Sequence, residues 1–596
     1  MIKKVYLIFK THLDIGFTDT GENVANTYLT SFIPNAVKRG YELKDTDTPY
    51  IWTTGSWLIN EGLKRDSDGS LDKAIRDGII SWHAMPFTLF SESMSPALME
   101  YALSISDKLD KKYGRKTSAA KMSDVPGHTK AIIPYLAKQG VKFLHLGINP
   151  AFPLPDMPPV FRWKNGKDEI TVMYQHSYGS ELIFDDFVIA FGFTNDNNGP
   201  QSVDEIKNIY SDLRNRYPDA EVKAATLNDV AEAIDAIKGS LPATDAEIGD
   251  LWVQNIGTDP QKVSIYKELL RHIDKNGITA DISDTLLVIP EHTWGGDVKK
   301  FFPDYIHYTP TELASTENEP RRKALEKTWS EKRELLDKAQ KLIGTNYEYT
   351  VTKPCLDGYA KVEKETDFEI SWQLFDNSDY ERFLRKCTCS PQPEQPRRYT
   401  DKEENVWGHG DLPIIRAPLW VTLDNCKYGL PDYKGGIYTA KTINAYEKDG
   451  NFIYEMGFDA NTAEYHGLPE IWAERTKEML TVKFFGQKAN RLPQAYWLKL
   501  KGLEEKWEIN KIGQWLKTDA IVNPYLMGTY TGVRNPSYKI ELIDSMLAAP
   551  HGRMMLDKSD EIKEDMYFNL YNNTWGCNQP MWYGGDSIFR FRITER

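Results

Sequence analysis

The chain has 596 residues, of which 41% are hydrophobic and 27% charged, and its 73 Lys and Arg against 86 Asp and Glu leave a net charge of −13. That length exceeds what one hydrophobic core organises, and the apolar content is too high for a disordered chain, so several folded domains are expected. The acidic balance repels phosphate backbones and anionic membranes, which excludes nucleic acid as an expected partner, and no apolar run approaches the ~18 residues of a membrane helix.

At the amino terminus, Lys3-Lys4 followed by Val5 to Phe9 begins like a leader, but Lys10 ends the apolar run and no small-residue cleavage site follows. The segment reads as a strand, and a cytoplasmic location is expected, or a periplasmic one for a chain that has lost a leader. From Val5 to about Glu291, apolar runs with the look of buried parallel strands (Val5 to Phe9, Pro49 to Trp52, Val141 to Leu146, Ile170 to Tyr174, Leu286 to Ile289) alternate with segments of helical period. The helical segments are Leu71 to Arg76, Pro96 to Leu109, Lys130 to Gln139, Val203 to Arg216 and Leu227 to Ile237. This βα alternation predicts an α/β layer or barrel. After Pro303 the texture changes, and Glu317 to Leu342 interleaves charges with Leu, Ala and Trp as one long helix of a bundle. From Tyr349 onward, short alternating segments such as Phe368 to Phe375 and Phe452 to Met456 predict a β-rich domain, with Ser390 to Arg397 as a loop inside it.

Three segments carry candidate chemistry. In Lys10-Thr-His-Leu-Asp-Ile-Gly-Phe17, His12 and Asp14 are two apart, so an extended backbone points both the same way. An imidazole nitrogen and a carboxylate oxygen converging there suit a borderline metal such as zinc, or a plain His–Asp hydrogen bond. In Lys121-Met-Ser-Asp-Val-Pro-Gly-His128, Asp124 stands at a Pro-Gly turn before a helix, as a site carboxylate or as a helix cap. In Pro290-Glu-His-Thr-Trp-Gly-Gly296, His292 is either a ligand or a surface histidine beside a packed Trp294. Among the aromatic residues, Trp252 and Trp575 are singled out as sugar-stacking platforms, with burial in a β-core as the alternative for Trp575. The five cysteines, an odd number, give no disulfide framework; Cys355, Cys387 and Cys389 lack a fourth ligand at metal spacing and read as free thiols.

In this order the motifs resemble glycoside hydrolase family 38, the α-mannosidase-like, metal-dependent retaining glycosidases, and within it a short divergent bacterial branch. His12-Leu-Asp-Ile-Gly-Phe17 is similar to the family's His-x-Asp-x-Gly-Trp, and Ser123-Asp-Val-Pro-Gly-His128 with Ile133-Pro-Tyr-Leu136 to its nucleophile motif and following helix. Thr226-Leu-Asn-Asp-Val-Ala-Glu-Ala233 resembles a further barrel segment, and His292 falls where the family has its last metal-binding histidine.

The resemblance implies a (β/α)7-type barrel over residues 1–300, a short helical bundle over 301–348 and a β-sandwich-rich carboxy-terminal domain over 349–596. It implies one Zn²⁺ or another divalent metal on His12, Asp14, Asp124 and His292, with Asp124 also the nucleophile, and a carbohydrate substrate contacted by Phe17, Trp252, Trp294 and Trp575. For the acid/base, Asp196 in Phe191-Gly-Phe-Thr-Asn-Asp-Asn-Asn-Gly-Pro200 occupies the place of the family's Gly-Asp loop, although such a run is also an ordinary turn; Glu92 and Glu291 are its rivals. The sequence departs from the family at Phe17, where Trp is usual, at Glu291-His292, where the family pairs histidines, and in Phe143 to Asn149, which lacks an arginine. The alternatives are a metal-dependent carbohydrate deacetylase, disfavoured by the absence of a His-x-x-x-His pair, and a carbohydrate-binding protein without catalysis.

Overall fold

The computed structural model describes residues 1–149, 152, 154–386, 427, 429–503, 506–518, 526–550, 552–553, 555–556 and 566–596. They form two compact units, one of residues 1–90, 97–149 and 156–247, the other of 91–96, 150–155 and 248–596. Among the described residues no helix is long and apolar enough to cross a membrane.

The first unit is α/β. Its strands are β1 (Lys4–His12), β2 (Trp52–Gly55), β3 (Ile80–His83), β4 (Ala119–Asp124), β5 (Phe143–Ile148), β6 (Val160–Asn165), β7 (Asp168–Gln175), β8 (Leu182–Ile183), β9 (Phe187–Asp196), β10 (Glu221–Ala224) and β11 (Ala243–Thr244). One sheet runs β3-β2-β1-β9-β8, with β10 also on β1, and the other runs β11-β6-β7-β5-β4. Strand β1 is covered on both faces, which explains why Val5 to Phe9 is a continuous apolar run rather than an alternating one. Along one edge β1 pairs with β10 from Lys4 to Leu7 and then with β2 at Phe9 and Lys10; along the other it follows β9 throughout. These pairings are parallel, as are β4 with β5 and β5 with β7, while β6 returns antiparallel to β7. Parallel pairing collects carboxyl ends at one edge of each sheet, where α/β proteins place their ligands. His12, Asp124 and Asp196 are each the last residue of a strand.

Helices Val203–Arg216 and Leu227–Ile237 occupy the predicted spans, and each opens with a reciprocal cap, Ser202 with Glu205 and Thr226 with Asp229. The second helix buries Leu227, Val230, Ala231 and Ile234 against Ile8, Phe143 and Met173, so its 3.6-residue stripe is what holds it on the strands.

The second unit combines helices Pro260–Asn276, Ala280–Leu287 and Pro320–Leu342 with antiparallel sheets of ten and six strands. The β-rich texture expected after Tyr349 is therefore present, as is the long helix expected over Glu317 to Leu342. The strand expected at Leu286 to Ile289 is not: Leu286 and Leu287 end the helix Ala280–Leu287, whose buried Ile282 and Leu286 are four apart, and Val288 and Ile289 form the turn that follows. An apolar run that short looks the same at a helix end as in a buried strand. Cys355 is an exposed free thiol. Cys387, Cys389 and the loop Ser390 to Arg397 lie outside the described residues.

Candidate metal and catalytic site

The first unit builds a buried cluster from the ends of two strands. His12 closes β1, and Asp14 follows in a loop that turns through Gly16 at φ 136° and Phe17 at φ 61°. A left-handed backbone is unusual for a residue as bulky as phenylalanine, so the surroundings must hold the loop in place. Asn197 does this: its Oδ1 accepts the Asp14 amide at 2.9 Å, and its Nδ2 donates to Gly16 O at 3.1 Å and Thr18 Oγ1 at 2.9 Å. Tyr28 adds a hydroxyl donated to His12 O at 3.0 Å. With the loop held, His12 Nε2 lies 3.1 Å from Asp14 Oδ1, and both residues are almost wholly buried.

The other imidazole nitrogen faces inward. His12 Nδ1 is 2.8 Å from Ser123 Oγ, which accepts a hydrogen bond from Lys121 Nζ at 2.9 Å. With Lys121 on one lone pair, Ser123 can still accept a proton carried on Nδ1, the tautomer that leaves the Nε2 lone pair on the side of Asp14.

Asp124 closes β4 at φ 82°, a second non-glycine residue in the left-handed region at this site. Asn149 pins its backbone and side chain together, the amide donating to Asp124 O at 2.8 Å and Nδ2 to Oδ1 at 3.1 Å. Tyr178 donates its hydroxyl to the same Oδ1, and its ring lies against His12 with centroids 4.9 Å apart. Burial, followed by the Asp124 carboxylate, holds the Tyr178 phenol well above its usual pKa, so it remains a donor. Two donors on one oxygen fix the rotation of the carboxylate. His12, Asp14 and Asp124 thereby offer ligand atoms within 4.8 Å of one another, a mixed N/O set suited to a divalent ion. Asn149 lies in the segment where the family arginine is missing, and it takes up a position on Asp124.

Asp196 ends β9 directly opposite His12 in the ladder, just past a register shift in β1. Its charge reaches Tyr178 and Tyr28, raising both phenols alongside their burial. Phe17 is only partly buried.

The remaining candidates belong to the second unit. His292 is buried, with Nδ1 at 2.8 Å from Glu291 Oε1. Glu291 also accepts the Thr293 amide at 3.2 Å and lies 3.3 Å from Lys332 Nζ. Glu92 is ringed by donors: Lys511 Nζ and the Gly528 amide at 2.6 Å, and the Asp250 amide at 2.7 Å. These contacts tie Glu92 to its own unit. Trp294 is 1% exposed, with its indole N–H on Ile289 O at 3.0 Å and Lys262 Nζ 3.2 Å above its ring. Trp575 is buried against Phe152 and Phe383, and Trp252 is half-buried.

Sequence reasoning passes over Tyr178, Asn149, Asn197, Ser123 and Lys121. For Lys121 and Ser123 a signal exists: a lysine and a serine inside the otherwise apolar Ala119-Ala-Lys-Met-Ser-Asp124 mark buried polar positions with work to do. Asn197 lies in the quoted Asn-Asp-Asn-Asn run, but its partners are some 180 residues away. Tyr178 carries no signal of its own.

Comparison with known proteins agrees with this geometry at the level of fold. The structure resembles that of an α-mannosidase from Enterococcus faecalis V583, with a TM-score of 0.58 and 9% identity over 100% of this chain and 87% of that one. It also resembles a glycosyl hydrolase family 38 protein from Enterococcus faecalis, with a TM-score of 0.54 and 10% identity over 100% and 86%. The fold is thus family 38-like and the sequence highly divergent. Residues 256–359 match a domain of unknown function, DUF5054. No curated protein matches the sequence.

If Asn197 is what holds the strained loop, Asn197→Ala should speed hydrogen exchange at the Asp14 amide by about tenfold or more, since the bond that protects it is lost. Amide exchange followed by mass spectrometry or NMR checks this, with the amides of β7 unchanged as the internal control.

Proposed function

We propose that this chain is a metal-dependent, retaining glycoside hydrolase of the family 38 type acting on a carbohydrate. The observation that carries the reading is the braced Asp124 carboxylate sharing a buried N/O cluster with His12 and Asp14 at the ends of parallel strands, in a chain whose fold is family 38-like. On this reading the two sheets of the first unit are parts of one β/α barrel, and His292 is the further ligand that the family resemblance assigns.

A divalent ion of the zinc class supplies Lewis-acid polarisation and a template for vicinal sugar hydroxyls. The protein's own groups do the rest. Asp124 forms the bond to the anomeric carbon while the bond from that carbon to the leaving oxygen breaks, and Asp196 gives its proton to that oxygen. In the second half Asp196 takes a proton from water, whose oxygen displaces the Asp124 carboxylate and restores both groups. Tyr178 and Asn149 hold Oδ1 by hydrogen bonds, so the carboxylate meets the sugar in one orientation and loses little entropy on doing so. Phe17 and Trp252 are the aromatic surfaces we assign to the sugar, because the rings of Trp294 and Trp575 are taken up by packing.

Tested on a panel of aryl glycosides with metal present, Asp124→Asn should reduce turnover on the order of 10⁴-fold while the protein still folds. Wild-type activity in that variant removes Asp124 from the mechanism. Asp196→Ala should slow substrates with poor leaving groups far more than activated aryl glycosides, with partial rescue by azide. Equal rates across leaving groups in wild type and variant contradict the acid/base assignment, and an inverted first-formed anomer by proton NMR contradicts retention.

A further inference from the structure

Behind His12, on the side away from Asp14, the first unit contains a small polar cavity whose contents the catalytic reading does not explain. It measures about 20 Å³ and is lined by Lys121, His83, Thr53, Thr88 and Ser123 beside His12. That volume accommodates one small particle. Two of the lining groups, Thr53 Oγ1 and His83 Nδ1, are buried with no hydrogen-bond partner, in residues only 2% and 4% exposed. Lys121 is 7% exposed and donates one of its three N–H groups, to Ser123 Oγ.

The charge in this region is also unbalanced. Lys10, buried on β1, has its amine against the rings of Phe193 and Phe191 and on the carbonyl of Tyr178, and burial followed by the Lys121 charge holds its pKa well below the usual value. Among the described residues neither Lys10 nor Lys121 has a carboxylate within ion-pair distance. Burial pushes the Lys121 amine down to about 8, so it is still an ammonium at neutral pH. A buried cation without a counter-charge is costly, and a polar cavity with spare donors at its wall is the place where that cost is relieved.

We propose that this cavity is a binding site for a small monovalent anion of the halide class. Lys121 supplies the charge and N–H donors, Thr53 an O–H donor, and His83 a further donor when Nδ1 carries its proton. Gluconate and sulfate are too large to enter. The site stands on the cavity and its donors and does not depend on glycosidase activity.

The test compares the thermal melting of the full chain in chloride, bromide, gluconate and sulfate at one ionic strength of about 0.1 M. Chloride and bromide should raise the melting temperature saturably relative to gluconate and sulfate, as a ligand that binds only the folded state must. Lys121→Met should abolish that difference and Thr53→Val should reduce it. Crystals grown with bromide should show anomalous scattering within hydrogen-bond reach of Lys121 Nζ and Thr53 Oγ1. Identical melting in chloride and gluconate overturns the proposal, as does an undiminished halide response in Lys121→Met or bromide found only elsewhere. Should Lys121→Met fail to fold, Thr53→Val and the bromide map on the wild-type protein decide the matter.

Discussion

Asp14 and Asp124 are two carboxylates taken out of water within a few ångströms of each other, 2% and 7% exposed, and the rest of the site follows from what that demands. Withdrawing an ion from water costs on the order of several kcal/mol even after relaxation, and two like charges side by side repel in the low-dielectric interior. A bound divalent cation is one arrangement that resolves both costs. His12 is arranged to contribute an imidazole nitrogen, its Nδ1 engaged by Ser123 so that Nε2 faces Asp14. Tyr178 and Asn149 satisfy one oxygen of Asp124 without adding charge. The donor set is the one a divalent ion selects.

Holding these groups at ligand spacing requires backbone conformations that the sequence would not choose unaided. Phe17 and Asp124 both have positive φ, Phe17 in the loop that follows β1 and Asp124 at the end of β4. Each is fastened by an asparagine from another part of the first unit, Asn197 for the loop after His12 and Asn149 for Asp124. The parallel ladder makes this economical: β9 runs beside β1 along its length, so the segment after Asp196 is delivered to the loop after His12. The strain is local and the scaffold that sustains it is buried on both faces, which is the division expected of a site built on rigid elements.

How much of this the amino-acid sequence disclosed depends on how local each feature is. The two-residue spacing of His12 and Asp14 speaks for itself, and Asp124 is marked by its Pro-Gly turn and motif order. Helices with strong stripes and caps, such as Val203–Arg216, were legible to the residue. Leu286 to Ile289 was not, because four apolar residues carry no period and only the preceding Ile282 shows the helix. Trp294, expected among the sugar contacts, has its ring covered by Lys262, a contact between segments that no local pattern announces. Tyr178 meets Asp124 across 54 residues, and Asn197 meets Gly16 across 181. Such partners are products of the topology, and pattern reading finds the ligands sooner than the groups that steady them.

The central claim is that the buried carboxylates of Asp14 and Asp124 exist to hold a divalent cation, and its most direct test is metal stoichiometry. Protein purified in metal-replete buffer, freed of loose ions and examined by elemental analysis, should retain about one equivalent of a divalent metal per chain. Less than about a tenth of an equivalent, with the protein folded and with no rise in melting temperature on adding zinc, manganese or cobalt, would contradict the account.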